Sequence, residues 1–374
     1  MVFKRNQPDT LASGKLSLIR HATQHVLVSE YFVLILTIVY FLIVWAFVPW
    51  IGNRSNLMNI LARVWPLLAA AVGQTFVLIV AGIDLSQVAV MAVTSVVGTS
   101  LITESVNPIL FEGNPIWGVL ITEQGGILAG HPAGVPIAII VVLLIGMAIG
   151  LINGTAIAVF RMPAFVVTLV SMMFFGAFAI FLTYSENIMN IPAGYTGIAM
   201  ERLGPISASL LISVLLAVVA YMILGRSILG RWMYAVGLNP RTARVSGVPT
   251  RGVLIFVYTF SGFCAAVAGI LMTARLQVGR PVAGGLDTML QIIGANVIGG
   301  MSLMGGKGKV QWTVFGVVFF VVLQNSVDQM NLDTFVVRIV LGFAILMAAL
   351  LDVARNRMAG SLAQTPSPTV GAGT

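Results

Sequence analysis

The sequence predicts an all-α polytopic membrane protein of about ten transmembrane helices, with both termini cytoplasmic. Three observations carry this. Only 9% of the 374 residues are charged, against about 25% in a soluble domain, while 58% are hydrophobic and the mean hydropathy is +1.01. Several apolar runs reach the roughly 20 residues that cross a bilayer core. The basic residues fall unevenly on the loops. With the N-terminus inside, fourteen of the twenty Lys and Arg face the cytoplasm, including Lys4, Arg5, Arg161, Arg226, Arg241, Arg251, Lys309 and Arg355. Arg54, Arg63, Arg202, Arg275, Arg280 and Arg338 stay outside. Excess positive charge on inner loops sets orientation, so the net charge of +8 is no sign of nucleic-acid binding.

In chain order, residues 1–30 are polar and basic and read as a cytoplasmic segment. The first span, 31–50, ends without a small-residue cleavage signature, so it reads as a retained anchor. Further spans are expected over 64–81, 87–103, 135–158, 163–183, 206–225, 252–274, 284–300, 311–328 and 334–353, making 31–353 one transmembrane domain. Outside lie the longer loops 104–134 and 184–205 and a short amphipathic piece, "NLMNILARVW". The tail 354–374 is small, polar and Pro/Gly-bearing, a composition that stays disordered in the cytoplasm.

Cys264 sits inside an apolar run and reads as a buried thiol. His21, His25 and His131 are too few and scattered for a metal centre. Without a His/Asp/Glu cluster, an intramembrane enzyme is the weakest class. "GGMSLMGGKGK" (Gly299–Lys309) imitates a phosphate loop, which requires Gly, four residues, then Gly-Lys-Ser/Thr. Lys307 is followed by Gly308, so the stretch reads as an inner turn and the chain is expected to bind no ATP itself.

Two segments stand out. "YAVGLNPRTARVSGVPTRG" carries helix boundaries: Asn239 as N-cap, Pro240 at the first helical position, Gly247 as the left-handed residue after the last turn. Two turns are not stable alone. With Ala243 and Gly247 keeping one face low, the helix is expected to dock in a groove on another protein. The competing reading is a loop that is basic only because it is cytoplasmic. "AGIDLS" (Ala81–Ser86) places Asp84 between two spans. An acid at membrane depth is a functional candidate; the simpler reading is that Asp84 or Ser86 caps the helix starting near Gln87, and the two are compatible. "IVAGIDLS" and "VIGGMSLM" (Val297–Met304) echo one another, as duplicated transporter halves do.

Within the spans the polar residues are mostly neutral: Gln74, Thr75, Asn153, Thr168, Ser171, Gln291, Asn296, Gln324 and Asn325. They suit a pathway for an uncharged polar solute, or hydrogen bonds between helices. Gly146, Gly150 and Gly154 read as close helix packing.

Five segments resemble, in order, the ribose-type monosaccharide ABC importer permeases of the branched-chain amino acid/sugar permease superfamily. They are "AGIDLSQVAVMAVTSVVG", "GLINGTAIAVFRMPAFVVTLVSM", "YAVGLNPRTARVSGV", "VYTFSGFCAAVAGILMTARL" and "VIGGMSLMGGKGKV", within residues 56–355. The resemblance implies a sugar importer subunit in a bacterial inner membrane, as a homodimer or close heterodimer. It also implies an extracytoplasmic sugar-binding protein and a cytoplasmic ATPase with two nucleotide-binding modules, where ATP and Mg²⁺ bind. Residues 239–247 (Asn239, Pro240, Arg241, Thr242, Ala243, Arg244, Val245, Ser246, Gly247) would then be the coupling helix. Gly82, Asp84, Ser86, Gln74, Asn153, Asn296 and Asn325 would lie on or support the pathway. The family's usual Gly-Gly-Ile-Asp-Leu-Ser opens here with Ala81, and its following Val-Gly is Gln87-Val88. The alternative class is an ion-coupled secondary transporter of a small polar solute, with Asp84 as its titrating group.

Overall fold

A computed structural model of the chain describes residues 29–350, except 201, 204, 205, 331, 332, 334, 348 and 349. All but two residues of the expected cytoplasmic segment 1–30, the tail 354–374 and the end of the tenth span lie outside the described residues.

The helices in order are α1 (Phe32–Phe47), α2 (Arg54–Ile79), α3 (Gln87–Ile102), α4 (Pro108–Phe111), α5 (Gly134–Ala158), α6 (Ala164–Thr183) and α7 (Ala193–Met200). They continue with α8 (Ala208–Arg226), α9 (Ile228–Leu238), α10 (Pro240–Val245), α11 (Thr250–Leu276), α12 (Leu286–Gly299), α13 (Val310–Gln329) and α14 (Phe335–Met347). Among the described residues six are long and apolar enough to cross a membrane (α2, α5, α6, α8, α11 and α13), and α1, α3, α12 and α14 are shorter apolar helices. These ten coincide with the ten expected spans.

Burial separates the core helices from the more exposed ones. The apolar stretches of α2 and α11 are 78% and 67% buried, whereas those of α5, α6 and α8 are 28%, 22% and 33% buried. α11 packs along α5, α2 and α3, and α13 along α2, α1 and α12. The α5–α11 seam needs glycine. A Cβ at Gly150 would strike the backbone of Tyr258 and Thr259, and one at Gly154 would meet Ile255 Cα at 2.9 Å.

One boundary differs from the sequence reading. "NLMNILARVW" is no separate surface piece but the first turns of α2, which passes through Pro66. Two of its polar side chains point to α13: Asn56 exchanges hydrogen bonds of 2.9 and 3.0 Å with Asn325, and Arg63 pairs with Asp328 at 2.5 Å. Pro66 has no N–H to offer the Ala62 carbonyl and its ring crowds that carbonyl; one residue away, Ser213 donates to the Trp65 carbonyl at 2.9 Å.

The long segment before α5 is a folded cap. A two-stranded hairpin, β1 (Ile121–Thr122) and β2 (Gly125–Gly126), lies across the end of α3. The Gly126 and Leu128 N–H groups donate to the Thr103 and Leu101 carbonyls, both at 2.8 Å. These are carbonyls that the end of a helix leaves unpaired. Phe111, Ile116 and Ile121 bury against Val93, Val96 and Ala179 below it.

Candidate coupling helix and buried polar network

α10 forms as its sequence dictates. The Asn239 side-chain oxygen accepts from the Arg241 and Thr242 N–H groups, both at 3.0 Å. At the other end Gly247 has φ +84°, the Gly247 N–H donates to the Arg244 carbonyl, and the Val248 N–H to the Ala243 carbonyl. That pair of bonds is the Schellman closure, which a left-handed glycine permits.

The outward face is not the one expected. Ala243 is 4% exposed and belongs to this chain's own core, together with Met233, Val236 and Val253. Its small side chain lets α10 lie flat on its own bundle. The surface offered outward is Pro240, Arg241, Thr242, Arg244, Val245 and Ser246, with Val245 86% exposed. The outward side of this capped helix thus carries one bare valine alongside two exposed arginines.

α10 is tied to the rest through α9. The Gly306 N–H donates to the Ile79 carbonyl at 2.9 Å, and Gly237 lies so close that a Cβ there would collide with that carbonyl. The Tyr234 hydroxyl donates to the Gly308 carbonyl at 2.7 Å, and burial raises its pKa. Gly299–Lys309 is therefore a tight turn wedged between the ends of α2 and α9. It also brings the two echoing segments together, with Gly305 against Ala81.

Just past Ile79 the chain leaves helical geometry for Val80–Ser86. Ala81 takes φ +60°, a left-handed value that glycine adopts freely and alanine does not. Gly82 fits because a Cβ would run into the Tyr258 hydroxyl. Asp84 is 3% exposed. One carboxylate oxygen accepts from the Ser86 N–H at 2.9 Å and the Ser86 hydroxyl at 2.5 Å; the other accepts from the Ser261 hydroxyl at 2.7 Å. Asn153 Nδ2 donates to the Ser86 oxygen at 2.9 Å, and Gln87 Nε2 to the Ser261 oxygen at 2.9 Å and the Ala70 carbonyl at 3.1 Å. The Thr168 hydroxyl reaches the Ile83 carbonyl at 3.1 Å. The carboxylate thus closes a local turn and bonds α11 directly, while Gln87, Asn153 and Thr168 tie the same segment to α2, α5 and α6. Gln87, the larger residue after the motif, fills the slot beside Gly73.

The other expected pathway residues separate into distinct places. Asn296 bonds Thr75, Thr313 and the Ala71 carbonyl, locking α12 to α2 and α13. Asn325 bonds Asn56. Gln74 is fully buried, and neither end of its amide has a partner among the described residues. Sequence reasoning missed Ser261, a small polar residue in an apolar helix whose role is visible only with the fold; it included Val245 in the loop without showing that this side chain is the outward one. Among the described residues no group of three or more His, Cys, Asp and Glu gathers as metal ligands would.

Among the described residues, six helices long and apolar enough to cross a membrane and four shorter apolar ones define a multi-pass membrane protein. The chain belongs to the branched-chain amino acid transport system / permease component family, whose model matches residues 56–350. It is similar to the ribose import permease RbsC of Haemophilus influenzae, 32% identical over 306 residues that cover 80% of this chain and 85% of that one. It is also similar to RbsC of Bacillus subtilis (31%, covering 79% and 84%) and the D-allose transport system permease AlsC of Escherichia coli (27%, covering 80% and 84%). No solved structure matches the chain.

Proposed function

We propose that this chain is the permease subunit of an ABC importer that moves a monosaccharide across the bacterial inner membrane. The observation that carries the reading is similarity to permeases named for ribose, allose and fructose over three quarters or more of the chain. The end bearing α10 faces the cytoplasm. A separate ATPase with two nucleotide-binding modules docks on Pro240–Ser246, holding ATP and Mg²⁺ itself. A sugar-binding protein delivers solute at the opposite end, and a second permease copy completes the channel. The buried polar network holds the helix break in shape around the route.

Uptake of labelled ribose, allose and fructose by cells with and without the gene tests the reading, with co-purification of the ATPase alongside. Val245→Asp puts a charge on the docking face without touching the core. At matched membrane levels it should recover at least tenfold less ATPase, the equivalent of about 1.4 kcal/mol of lost contact. Wild-type recovery and uptake in Val245→Asp would exclude α10 as the coupling helix. Uptake abolished by an uncoupler at constant ATP would favour the ion-coupled transporter instead.

A further inference from the structure

At the end of the bundle opposite α10, a cavity of about 380 Å³ opens between α2, α3, α11, α12 and α13. Its polar lining is Arg63, Arg275, Thr288, Gln291, Gln324 and Asp328. Arg63 and Asp328 are paired with each other. Arg275 has a long contact, 3.4 Å, to Asn59. Thr288, Gln291 and Gln324 are half-buried and make no side-chain hydrogen bond to another described residue. A second cavity of about 680 Å³, toward α14, shares Gln291, Gln324 and Asp328, so the two amides stand on the partition between the lobes. Both volumes lie in the range of small-molecule sites, roughly 300–1,000 Å³.

A polar side chain in a membrane bundle is costly unless it finds a partner. Asn56, Asn153, Asn296 and Asn325 all find protein partners. Gln291 and Gln324 face open space instead. Each carboxamide both donates and accepts, as a sugar hydroxyl does. An amino acid zwitterion would need a free cation and a free anion together, yet the only carboxylate lining this cavity is engaged by Arg63.

We propose that this cavity is a binding subsite for a neutral, hydroxyl-rich solute of monosaccharide size, and that Gln291 and Gln324 determine its selection. The inference rests on the sugar-permease reading and adds residues that none of the named networks contains. Loss of matched hydrogen bonds from such a site discriminates strongly.

Cys264 is the sole cysteine and is buried, so an introduced thiol reports alone. In intact cells, Gln291→Cys and Gln324→Cys should react with an impermeant charged thiosulfonate, while Val317→Cys, buried on α13, should not. Ribose, allose or fructose should slow the reaction at least tenfold, and leucine should not. Gln291→Leu and Gln324→Leu should reduce uptake at least tenfold at unchanged membrane level, with Gln324→Asn keeping most of it. Thiols at 291 and 324 as inert as that at 317, protection by leucine alone, or protection by none of the sugars would overturn the subsite. Absence of sugar uptake in the wild type would defeat the permease reading, whereas the labelling arms judge the cavity separately.

Discussion

Replacing Gly237 with alanine sets two effects of similar size against each other. Helix propensity favours the change by up to about 1 kcal/mol, because Gly237 is in the last turn of α9. The structure opposes it: the new Cβ would fall onto the Ile79 carbonyl oxygen and 2.7 Å from the Gly306 nitrogen. Those atoms are backbone and cannot rotate aside. Relief requires α9 to back away from α2, or the added methyl to part the Gly306 N–H from the Ile79 carbonyl that it bonds at 2.9 Å. Overfilling a packed contact costs about 1–3 kcal/mol, and a lost hydrogen bond about 1 kcal/mol. The net is a destabilisation of about 1–3 kcal/mol, or several degrees in the thermal midpoint. Gly225→Ala is the control, since its Cβ would meet nothing closer than Tyr221 at 3.9 Å. Thermal unfolding of the purified proteins in detergent should place Gly237→Ala below wild type and Gly225→Ala at or above it. A Gly237→Ala midpoint equal to or above wild type would refute the argument that this backbone contact is close and unyielding.

Asn239→Ala should weaken α10 by about 0.5–2 kcal/mol, and Asn239→Asp should not; hydrogen exchange of the Arg241 and Thr242 amides measures the difference. Ser261→Ala strips a donor from buried Asp84 and an acceptor from Gln87. It should lower stability by about 1–3 kcal/mol, read as a thermal midpoint, with Ser261→Thr milder. Ala81→Gly relieves a left-handed alanine worth about 1–2 kcal/mol, partly offset by unfolded-chain entropy; its midpoint should not fall below wild type.

The sequence revealed most where one residue has one local job. Asn239 and Gly247 mark the ends of α10 because a cap and a left-handed turn are properties of neighbours in the chain. Gly146, Gly150 and Gly154 announced a seam by their spacing. What escaped depends on residues far apart. The start of α2 was hidden because Asn56 and Arg63 look amphipathic until Asn325 and Asp328 arrive from α13. Ala243 was assigned the wrong side, since a small residue serves equally in a partner's groove or against its own bundle. Gln291 and Gln324 looked like the other buried amides, and only the packing of five helices leaves them facing a cavity.

The closure of α10 at both ends has a consequence for association. Ordering a residue's backbone costs about 1–2 kcal/mol, and a segment that folds on docking loses that from its affinity. Here Asn239 and the turn through Gly247 and Val248 satisfy the ends of the helix within one chain. Whatever binds the face around Val245 therefore meets six residues already in place, and the small contact area of two helical turns goes into binding undiminished by the cost of folding them.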